Sequence, residues 1–324
     1  MRAVLCEAFG AAENLVLKEI DKPVAEEGQV LIRVRAAALN FFDTLIIRNK
    51  YQYTPDLPFS PAGEISGEIE AVGAGVDPAR IGERVLAYIR WGGAREYVVV
   101  NAEEAILMPE ALEFEQSAGL MITYGTTIYA LKSRAKLQPG ETLAVLGAAG
   151  GVGLAAVEIG KLMGARVIAC ASSDEKLDLC EVHGADLRVN YKLGDLKLAL
   201  KGLTKGHGVD VVYDPVGGDL AEAALRATGW YGRFLVIGFA SGTIPKMPLN
   251  LVMLKSVDLL GVFWGEAIVR NPEEHAQNMA LIMQWVSEGK LKPHLHQSYP
   301  LEDTAKAIAA IQNREVKGKV VITL

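Results

Sequence analysis

The pattern of apolar and polar residues divides the chain into two kinds of segment. Up to about residue 120, short apolar runs alternate with glycine, as in GQVLIRVRAAALN, GEISGEIEAVGAGV and GERVLAYI, which is typical of β-strands and turns. From Glu141 onward, strand-like and helix-like stretches alternate, beginning with ETLAVLG, GVGLAAVEIGKLMG, ARVIACA and SDEKLDLCEVHG. This alternation predicts an α/β fold with a doubly wound parallel sheet.

Helical spacing marks the link between the two parts. The stretch EFEQSAGLMITYGTTIYALKSRA follows Pro109 and carries apolar residues at helical intervals. The last sixty residues contain two helix-like stretches and a terminal strand, GKVVITL, and are expected to fold back onto the first part. We therefore expect one domain formed by residues 1–121 and 265–324, and a second formed by residues 122–264.

A glycine-rich loop, VLGAAGGVG, lies at residues 145–153 between an apolar strand and a helix. The dinucleotide fingerprint G-x-G-x-x-G, aligned on its last glycine, requires glycines where the chain has Ala148, Gly150 and Gly153. Gly150 would let the backbone approach a pyrophosphate and Gly153 would let the helix pack on the strand, whereas the first glycine serves only the tight turn. Because strand, loop, helix and second strand follow in order, we expect a dinucleotide-binding loop rather than a turn without a ligand.

Composition and charge exclude several classes of protein. A formal net charge of −6 provides no broad basic surface for nucleic acid. The N-terminal segment lacks the apolar region of a secretory signal, and no apolar run reaches the roughly 20 residues of a membrane span. The three cysteines, Cys6, Cys170 and Cys180, show neither disulfide nor metal-site spacing. These features predict a soluble, cytoplasmic protein without a nucleic-acid or membrane partner.

Three stretches together resemble a known family: PGETLAVLGAAGGVGLAAVEIGKLMGARVIACASSDEKLDL, ALNFFDTLIIRNKY and VKGKVVITL. They are similar to the zinc-free quinone oxidoreductase branch of the medium-chain dehydrogenase/reductase superfamily, which includes zeta-crystallin. The resemblance covers essentially the whole chain. It implies a GroES-like β domain joined by the C-terminal segment, a Rossmann domain inserted between them, and NADPH as cofactor. In this branch alanine is usual at the position of Ala148, and the residues expected at the pyrophosphate are Ala149, Gly150, Gly151 and Val152.

The residues after the second Rossmann strand favour NADPH over NADH. An NAD-specific enzyme carries an acidic side chain there, which binds the ribose hydroxyls and repels a 2′-phosphate. Here the strand ends at Ala171, and Ser172, Ser173 and Lys176 follow, which could offer hydroxyl groups and a positive charge to a phosphate. The same SSDEK segment is also an ordinary helix start capped by serine, and its two acidic residues oppose a phosphate.

Further cofactor contacts are implied by the resemblance alone. Tyr191 would contact the 2′-phosphate, and Thr127 would lie beside the nicotinamide ribose. Gly238 and Phe239 follow the fifth strand, and the aromatic pair Phe263 and Trp264 follows the sixth. Lys319 would reach the cofactor phosphates.

Metal ligands are missing from the positions where the zinc enzymes of this superfamily carry them. A catalytic zinc needs three protein ligands, typically cysteine and histidine. In this chain Asn40, Gly63 and Ala118 stand at those positions. Two of the five histidines, His294 and His296, share one strand face but have no third ligand in the sequence. We therefore expect an enzyme without a metal.

Without a Lewis acid, the substrate must accept a hydride readily by itself, as a quinone or a conjugated enone does. Hydrogen-bond donors would then assist the developing oxyanion. Asn40 and Tyr51 match a family segment at the nicotinamide pocket and are the expected catalytic residues, with Asp43 as a structural anchor of their loop. The expected function is the NADPH-dependent reduction of quinones by a homodimer.

Two other functions stay open at this point. An enzyme of the same fold could reduce an enoyl thioester or a 2-alkenal, which requires the same hydride donor and a different substrate channel. A crystallin-like protein could bind NADPH in a structural or RNA-associated role, although the acidic composition weakens the RNA-associated version.

Overall fold

The computed structural model describes residues 1–324, and the chain forms two compact units. The first consists of Met1–Ile122 and Val286–Leu324, and the second of Thr123–Trp285. The second boundary was predicted after residue 264, whereas these units divide the chain after Trp285. Residues 265–285 therefore belong with the parallel sheet of the second unit.

The first unit is built mainly of β-strands, which we number with the helices in chain order. Its strands are β1 (Arg2–Leu5), β2 (Val16–Glu19), β3 (Gln29–Leu39), β4 (Glu64–Val72), β5 (Arg84–Tyr88), β6 (Tyr97–Asn101), β7 (Ile106–Leu107), β14 (Leu295–Pro300) and β15 (Lys319–Thr323). Its helices are α1 (Phe41–Ile46), α2 (Phe114–Ala118) and α11 (Thr304–Gln312). β1 pairs with β2, and a larger sheet has the order β14-β15-β3-β4-β5-β7, with β6 also paired to β3.

The C-terminal strand β15 completes this larger sheet. It runs antiparallel to β3, with Val320 opposite Leu39, and both of these side chains are buried in the apolar core of the unit. The same register brings Lys319, which precedes Val320, alongside Asn40, which follows Leu39. Two residues that are remote in sequence thus become neighbours.

The second unit contains a six-stranded parallel sheet flanked by helices. Its strands are β8 (Thr142–Leu146), β9 (Arg166–Ala171), β10 (Leu187–Asn190), β11 (Val209–Asp214), β12 (Thr228–Val236) and β13 (Asp258–Gly261). Its helices are α4 (Gly151–Leu162), α5 (Asp174–Val182), α6 (Leu196–Leu203), α7 (Asp219–Ala227), α8 (Leu249–Lys255) and α9 (Trp264–Arg270), with α3 (Leu120–Ile128) and α10 (Pro272–Ser287) at its boundaries. The strand order is β10-β9-β8-β11-β12-β13, and the doubly wound α/β prediction is confirmed.

The order of the strands identifies the functional edge of this sheet. The chain moves outward in one direction from β8 to β10 and in the other from β11 to β13. At such a switch point the loops after the two central strands diverge, and ligands of open α/β sheets bind there. The loops after β8, β9, β12 and β13 contain most of the predicted cofactor residues.

The helical link predicted after Pro109 consists of several pieces. α2 ends at Ala118, α3 begins at Leu120, and a π-helical segment, Tyr129–Arg134, follows directly.

No helix in the chain combines the length and the apolar character that crossing a membrane would require.

Candidate active site

The turn after β8 takes its unusual backbone conformation at Gly147. This residue has a φ of +57°, in the left-handed region, and its carbonyl oxygen accepts a hydrogen bond of 2.9 Å from the backbone N–H of Gly150. Ala148 follows without a positive φ, and its side chain is completely buried. The first position of the fingerprint therefore does not need glycine here, because the preceding residue supplies the turn.

The other two glycines of the fingerprint have different surroundings. A Cβ atom on Gly153 would overlap the carbonyl oxygen of Gly147, so this glycine allows α4 to pack closely on the end of β8. A Cβ on Gly150 would meet only that same oxygen, at 3.4 Å, and would otherwise project into open space. Gly150 precedes the first turn of α4, where backbone N–H groups lack partners inside the helix. This combination of open space and N–H donors fits a pyrophosphate.

The end of β9 carries hydroxyl groups and no carboxylate. β9 ends at Ala171, and Ser172 follows it. Ser173 begins α5, and its Oγ accepts a 3.4 Å hydrogen bond from the backbone N–H of Lys176. The predicted residue Lys176 therefore lies in the first turn of α5, and Ser172 lies just before the N-cap residue Ser173, where a phosphate would also meet the positive end of the helix.

The end of β10 lies beside this turn. The backbone N–H of Tyr191 donates a 3.1 Å hydrogen bond to the carbonyl oxygen of Ala171, which places the predicted tyrosine next to the end of β9. Asp174 accepts a 3.1 Å hydrogen bond from the side-chain amide of Asn190. The carboxylate of Asp174, whose negative charge disfavours a phosphate nearby, therefore has a hydrogen-bond donor of its own.

The loops after β11 and β12 are held together by Asp214, a residue that the sequence analysis did not select. Its carboxylate accepts hydrogen bonds from the backbone N–H groups of Val216 at 2.8 Å and Gly217 at 2.9 Å. Burial raises the pKa of this carboxyl group. Its carbonyl oxygen accepts a further bond, at 3.3 Å, from the N–H of Gly238, which precedes Phe239. The signal in the sequence was an acidic residue directly after a buried apolar strand, in DVVYDPVGG.

Two residues predicted to contact the cofactor are buried inside the second unit. Thr127 is fully buried, donates its hydroxyl proton to the carbonyl oxygen of Thr123 at 2.7 Å, and lies 2.9 Å from the hydroxyl of Tyr213. Because its one proton is engaged, we assign Thr127 to the packing of α3 against β11. Trp264 is only 6% exposed and covers Gly125, where a Cβ would lie 2.8 Å from the indole ring. Trp264 is therefore a core residue.

Its neighbour in the predicted aromatic pair has a different environment. Phe263 follows β13 and is 44% exposed. A role for Phe263 at the cofactor stays a prediction.

Lys319 is held by hydrogen bonds within the first unit. Its side chain is 7% exposed, and its ammonium donates to the carbonyl oxygen of Leu39 at 3.1 Å, to Oδ1 of Asn40 at 2.6 Å and to Oε1 of Glu64 at 2.8 Å. An ammonium has three protons, and all three are used. Lys319 therefore makes its contacts in the site around Asn40, and a role at the cofactor phosphates stays a prediction.

Asn40 is held by both of its side-chain ends. Its Oδ1 accepts from Lys319, and its Nδ2 donates to Oε1 of Glu64 at 3.0 Å. The second oxygen of the fully buried Glu64 accepts from the backbone N–H of Ile122 at 2.8 Å. Nδ2 keeps a second N–H, for which the structure shows no acceptor within the protein.

Asp43 anchors the backbone around Asn40. Its carboxylate accepts from the N–H of Asn40 at 2.7 Å and from the N–H of Ala62 at 2.9 Å. Ala62 is fully buried with a φ of +70°, a conformation that this hydrogen bond helps to hold. Burial raises the pKa of Asp43 to about 7, and the charge of Glu64 adds to the rise, while the two N–H donors and Lys319 oppose it.

Tyr51 lies in a cluster of aromatic rings in the same unit. Its ring centroid is 5.4 Å from that of Phe42 and 5.9 Å from that of Tyr53, which in turn lies 6.4 Å from Trp91. Burial raises the pKa of Tyr51 to about 12. The hydroxyl therefore stays protonated at neutral pH and can donate a hydrogen bond, and the structure shows no partner for it within the protein.

The positions that hold zinc in the metal-dependent relatives do not fit a metal in this chain. Gly63 has no side chain, and a Cβ there would lie 2.5 Å from the carbonyl oxygen of Arg90 and 2.6 Å from the ring of Phe42. Ala118 is fully buried, and Asn40 is occupied by its two partners. No three histidine, cysteine, aspartate or glutamate side chains of the chain are grouped closely enough to hold a metal ion.

Two families match different parts of the chain. Residues 26–110 match the alcohol dehydrogenase GroES-like domain, and residues 151–284 match the zinc-binding dehydrogenase family. The chain is also 36% identical over 324 residues to a Bos taurus protein named quinone oxidoreductase-like protein 2, which covers 100% of this chain and 92% of that protein.

Solved structures share the whole fold. The Escherichia coli quinone oxidoreductase in complex with NADPH is 28% identical with a TM-score of 0.92, covering 100% of both chains. The CurK enoyl reductase is 28% identical with a TM-score of 0.90, covering 99% of this chain and 98% of its own. The GroES-like match, the Rossmann sheet and the similarity over the full length lead to one assignment: the chain belongs to the medium-chain dehydrogenase/reductase superfamily, among its quinone oxidoreductase-like members.

Proposed function

We propose that the protein is an NADPH-dependent reductase of quinones that works without a metal ion. The main support for this proposal is the type of residue at the three positions where zinc-dependent relatives have their metal ligands. Asn40, Gly63 and Ala118 offer one side-chain amide and no cysteine or histidine. A side chain at position 63 would collide with Arg90 and Phe42. Substrates that accept a hydride without a Lewis acid, such as quinones, suit this arrangement.

The proposed substrate interactions come from the first unit. The second N–H of Asn40 and the hydroxyl of Tyr51 would donate hydrogen bonds to the oxygen on which negative charge develops. The raised pKa of Tyr51, about 12, keeps its hydroxyl a donor throughout the neutral range. Solvent can protonate a hydroquinone anion, so these two residues have mainly to orient the substrate.

The proposed cofactor interactions come from the second unit. When bound, NADPH supplies a hydride equivalent from its nicotinamide ring. Residues 149–152 would hold its pyrophosphate, and Ser172, Lys176 and Tyr191 would hold its 2′-phosphate. Gly238, Phe239 and Phe263 are proposed for its nicotinamide half, because they follow the carboxyl ends of β12 and β13.

The preference for NADPH can be tested with one substitution. Lys176→Ala removes a positive charge near the expected 2′-phosphate, and we expect kcat/KM for NADPH to fall ~10-fold while the value for NADH stays unchanged. Lys192→Ala, which removes an exposed lysine after β10, is the control. Equal values for the two cofactors in the unaltered protein would contradict the proposed preference.

The substrate class is tested with NADPH oxidation assays on quinones, 2-alkenals and enoyl thioesters, alongside metal analysis after washing with a chelator. We expect turnover with quinones and no stoichiometric zinc. The similarity to the CurK enoyl reductase makes reduction of an enoyl thioester the second candidate. Turnover of thioesters alone would favour that candidate, and NADPH binding without any turnover would favour the crystallin-like alternative.

A further inference from the structure

The chemistry of its two neighbours determines how the Asn40 amide is oriented. A lysine ammonium can only donate hydrogen bonds, and an ionised carboxylate can only accept them. Lys319 therefore selects the carbonyl end of the amide, at 2.6 Å, and Glu64 selects the NH₂ end, at 3.0 Å. An inverted amide would place N–H against ammonium and oxygen against carboxylate.

The carboxylate of Glu64 is itself surrounded by donors. Lys319 and Asn40 donate to Oε1, and the backbone N–H of Ile122 donates to Oε2. Three donors thus satisfy a carboxylate that has no solvent exposure. Because desolvation offsets most of the attraction within a buried ion pair, the pair contributes less to stability than to the orientation of its neighbour.

The stem of Lys319 lies where Gly119 has no side chain. A Cβ at position 119 would lie 3.0 Å from both Cγ and Cε of Lys319, which is closer than ordinary contact. The absence of a side chain at Gly119 thus allows the lysine to reach Asn40. A side chain larger than that of glycine at position 119 would therefore displace Lys319.

We propose that Lys319 and Glu64 are positioning residues that act through Asn40, holding its amide so that only an N–H, and never the carbonyl oxygen, is presented to a substrate. This inference rests on the proposed reductase function and narrows it. The site then selects compounds whose reacting system includes an oxygen that accepts a hydrogen bond, and it disfavours compounds that can only donate a hydrogen bond at that point, such as an ammonium group.

The first test is a double-mutant cycle on quinone reduction. Lys319→Met is expected to lower kcat ~10-fold, while the NADPH dissociation constant, measured by fluorescence titration, changes less than ~2-fold. In an Asn40→Ala background the same substitution should change kcat by less than ~2-fold, because Lys319 acts through the amide that has been removed. Lys161→Met, which breaks the surface ion pair with Asp186, is the matched control and should leave kcat unchanged.

The inference would be overturned if Lys319→Met had the same kcat as the unaltered protein. It would also be overturned if the loss of kcat in the double variant equalled the product of the two single losses. If Lys319→Met lacks a cooperative thermal transition, Gly119→Ala replaces it, since it displaces the lysine without removing its charge. The expected result is then a ~3-fold loss of kcat that disappears in the Asn40→Ala background.

A second readout does not depend on turnover, so failure of the proposed function and failure of this inference can be distinguished. The side-chain NH₂ signals of Asn40, identified in ¹⁵N spectra by their loss in Asn40→Ala, should include one proton shifted downfield by the hydrogen bond to Glu64. Lys319→Met should move both signals toward the values of exposed asparagines. Signals that do not change in Lys319→Met would overturn the inference even if the protein reduces no quinone.

Discussion

At the scale of single residues, Asn40 and Tyr51 are proposed to orient the substrate rather than to transfer a proton. We expect Asn40→Ala and Tyr51→Phe each to lower kcat/KM for quinones only ~10-fold, corresponding to about 1.4 kcal/mol of transition-state stabilisation. Steady-state kinetics with the NADPH dissociation constant measured in parallel would check this. A loss of several orders of magnitude with intact NADPH binding would indicate a dedicated proton donor, as expected of an enoyl reductase.

Asp43 should make the stability of the protein depend on pH. Its pKa in the folded state, about 7, lies above the ordinary value of 3.8, so the folded state binds the proton more tightly than the unfolded state. The contribution of Asp43 to stability is therefore complete below pH 4 and declines as the pH rises toward 7, by on the order of 1 kcal/mol per pH unit.

The contribution of Asp43 can be isolated with Asp43→Asn, which does not titrate. The difference in the free energy of unfolding between the unaltered protein and this variant should shrink between pH 5 and pH 7 and then level off, as measured by denaturant titration. A difference that is constant over this range would show that the carboxyl group is ionised throughout.

At the scale of elements, replacing two glycines at the junction of β8 and α4 should have different effects, one on cofactor binding and one on stability. Gly150→Val should leave the thermal unfolding midpoint nearly unchanged and abolish NADPH binding, because the new side chain would occupy the space proposed for the pyrophosphate. Gly153→Ala should destabilise the protein by about 1–3 kcal/mol, because its Cβ would overlap the carbonyl oxygen of Gly147. Calorimetry and fluorescence titration of both variants would separate the two effects. NADPH binding by Gly150→Val would refute the proposed position of the pyrophosphate.

At the scale of the whole molecule, one edge of the parallel sheet has the features of a subunit interface. The edge strand β13 carries Leu259, 37% exposed, and the neighbouring elements expose further large apolar side chains. These are Trp230, Tyr231, Leu249, Met253 and Leu254. We propose that two copies of the chain pair through this edge, which would cover both the apolar surface and the unpaired strand.

Sedimentation at micromolar concentration should therefore give about twice the 34.8 kDa mass of one chain. Leu259→Arg should shift the species toward the monomer, because it would bury a charge at the pairing edge. Leu198→Arg, on α6 beside the opposite edge of the sheet, replaces a residue that is 65% exposed and should have no effect. A monomeric mass for the unaltered protein would refute the pairing.

Local patterns in the sequence were sufficient for the order of the elements and for the glycine-rich turn between β8 and α4. Buried parallel strands require continuous apolar runs, and a tight turn before a helix requires glycine at short spacing, so both leave a mark within a few residues. The expectation that Asn40, Gly63 and Ala118 do not bind a catalytic zinc also came from the sequence, because the side chains of glycine and alanine have no ligand atom.

The tertiary structure decided the partners of individual side chains. Lys319 was predicted at the cofactor phosphates, but the register of β15 against β3 brings it to Asn40 and Glu64, 279 and 255 residues away. Thr127 and Trp264, which were also predicted at the cofactor, are buried among side chains of the second unit. The physical reason is the same in each case: a side chain's partners depend on the pairing of strands and helices that are distant in sequence, and no local window contains that pairing.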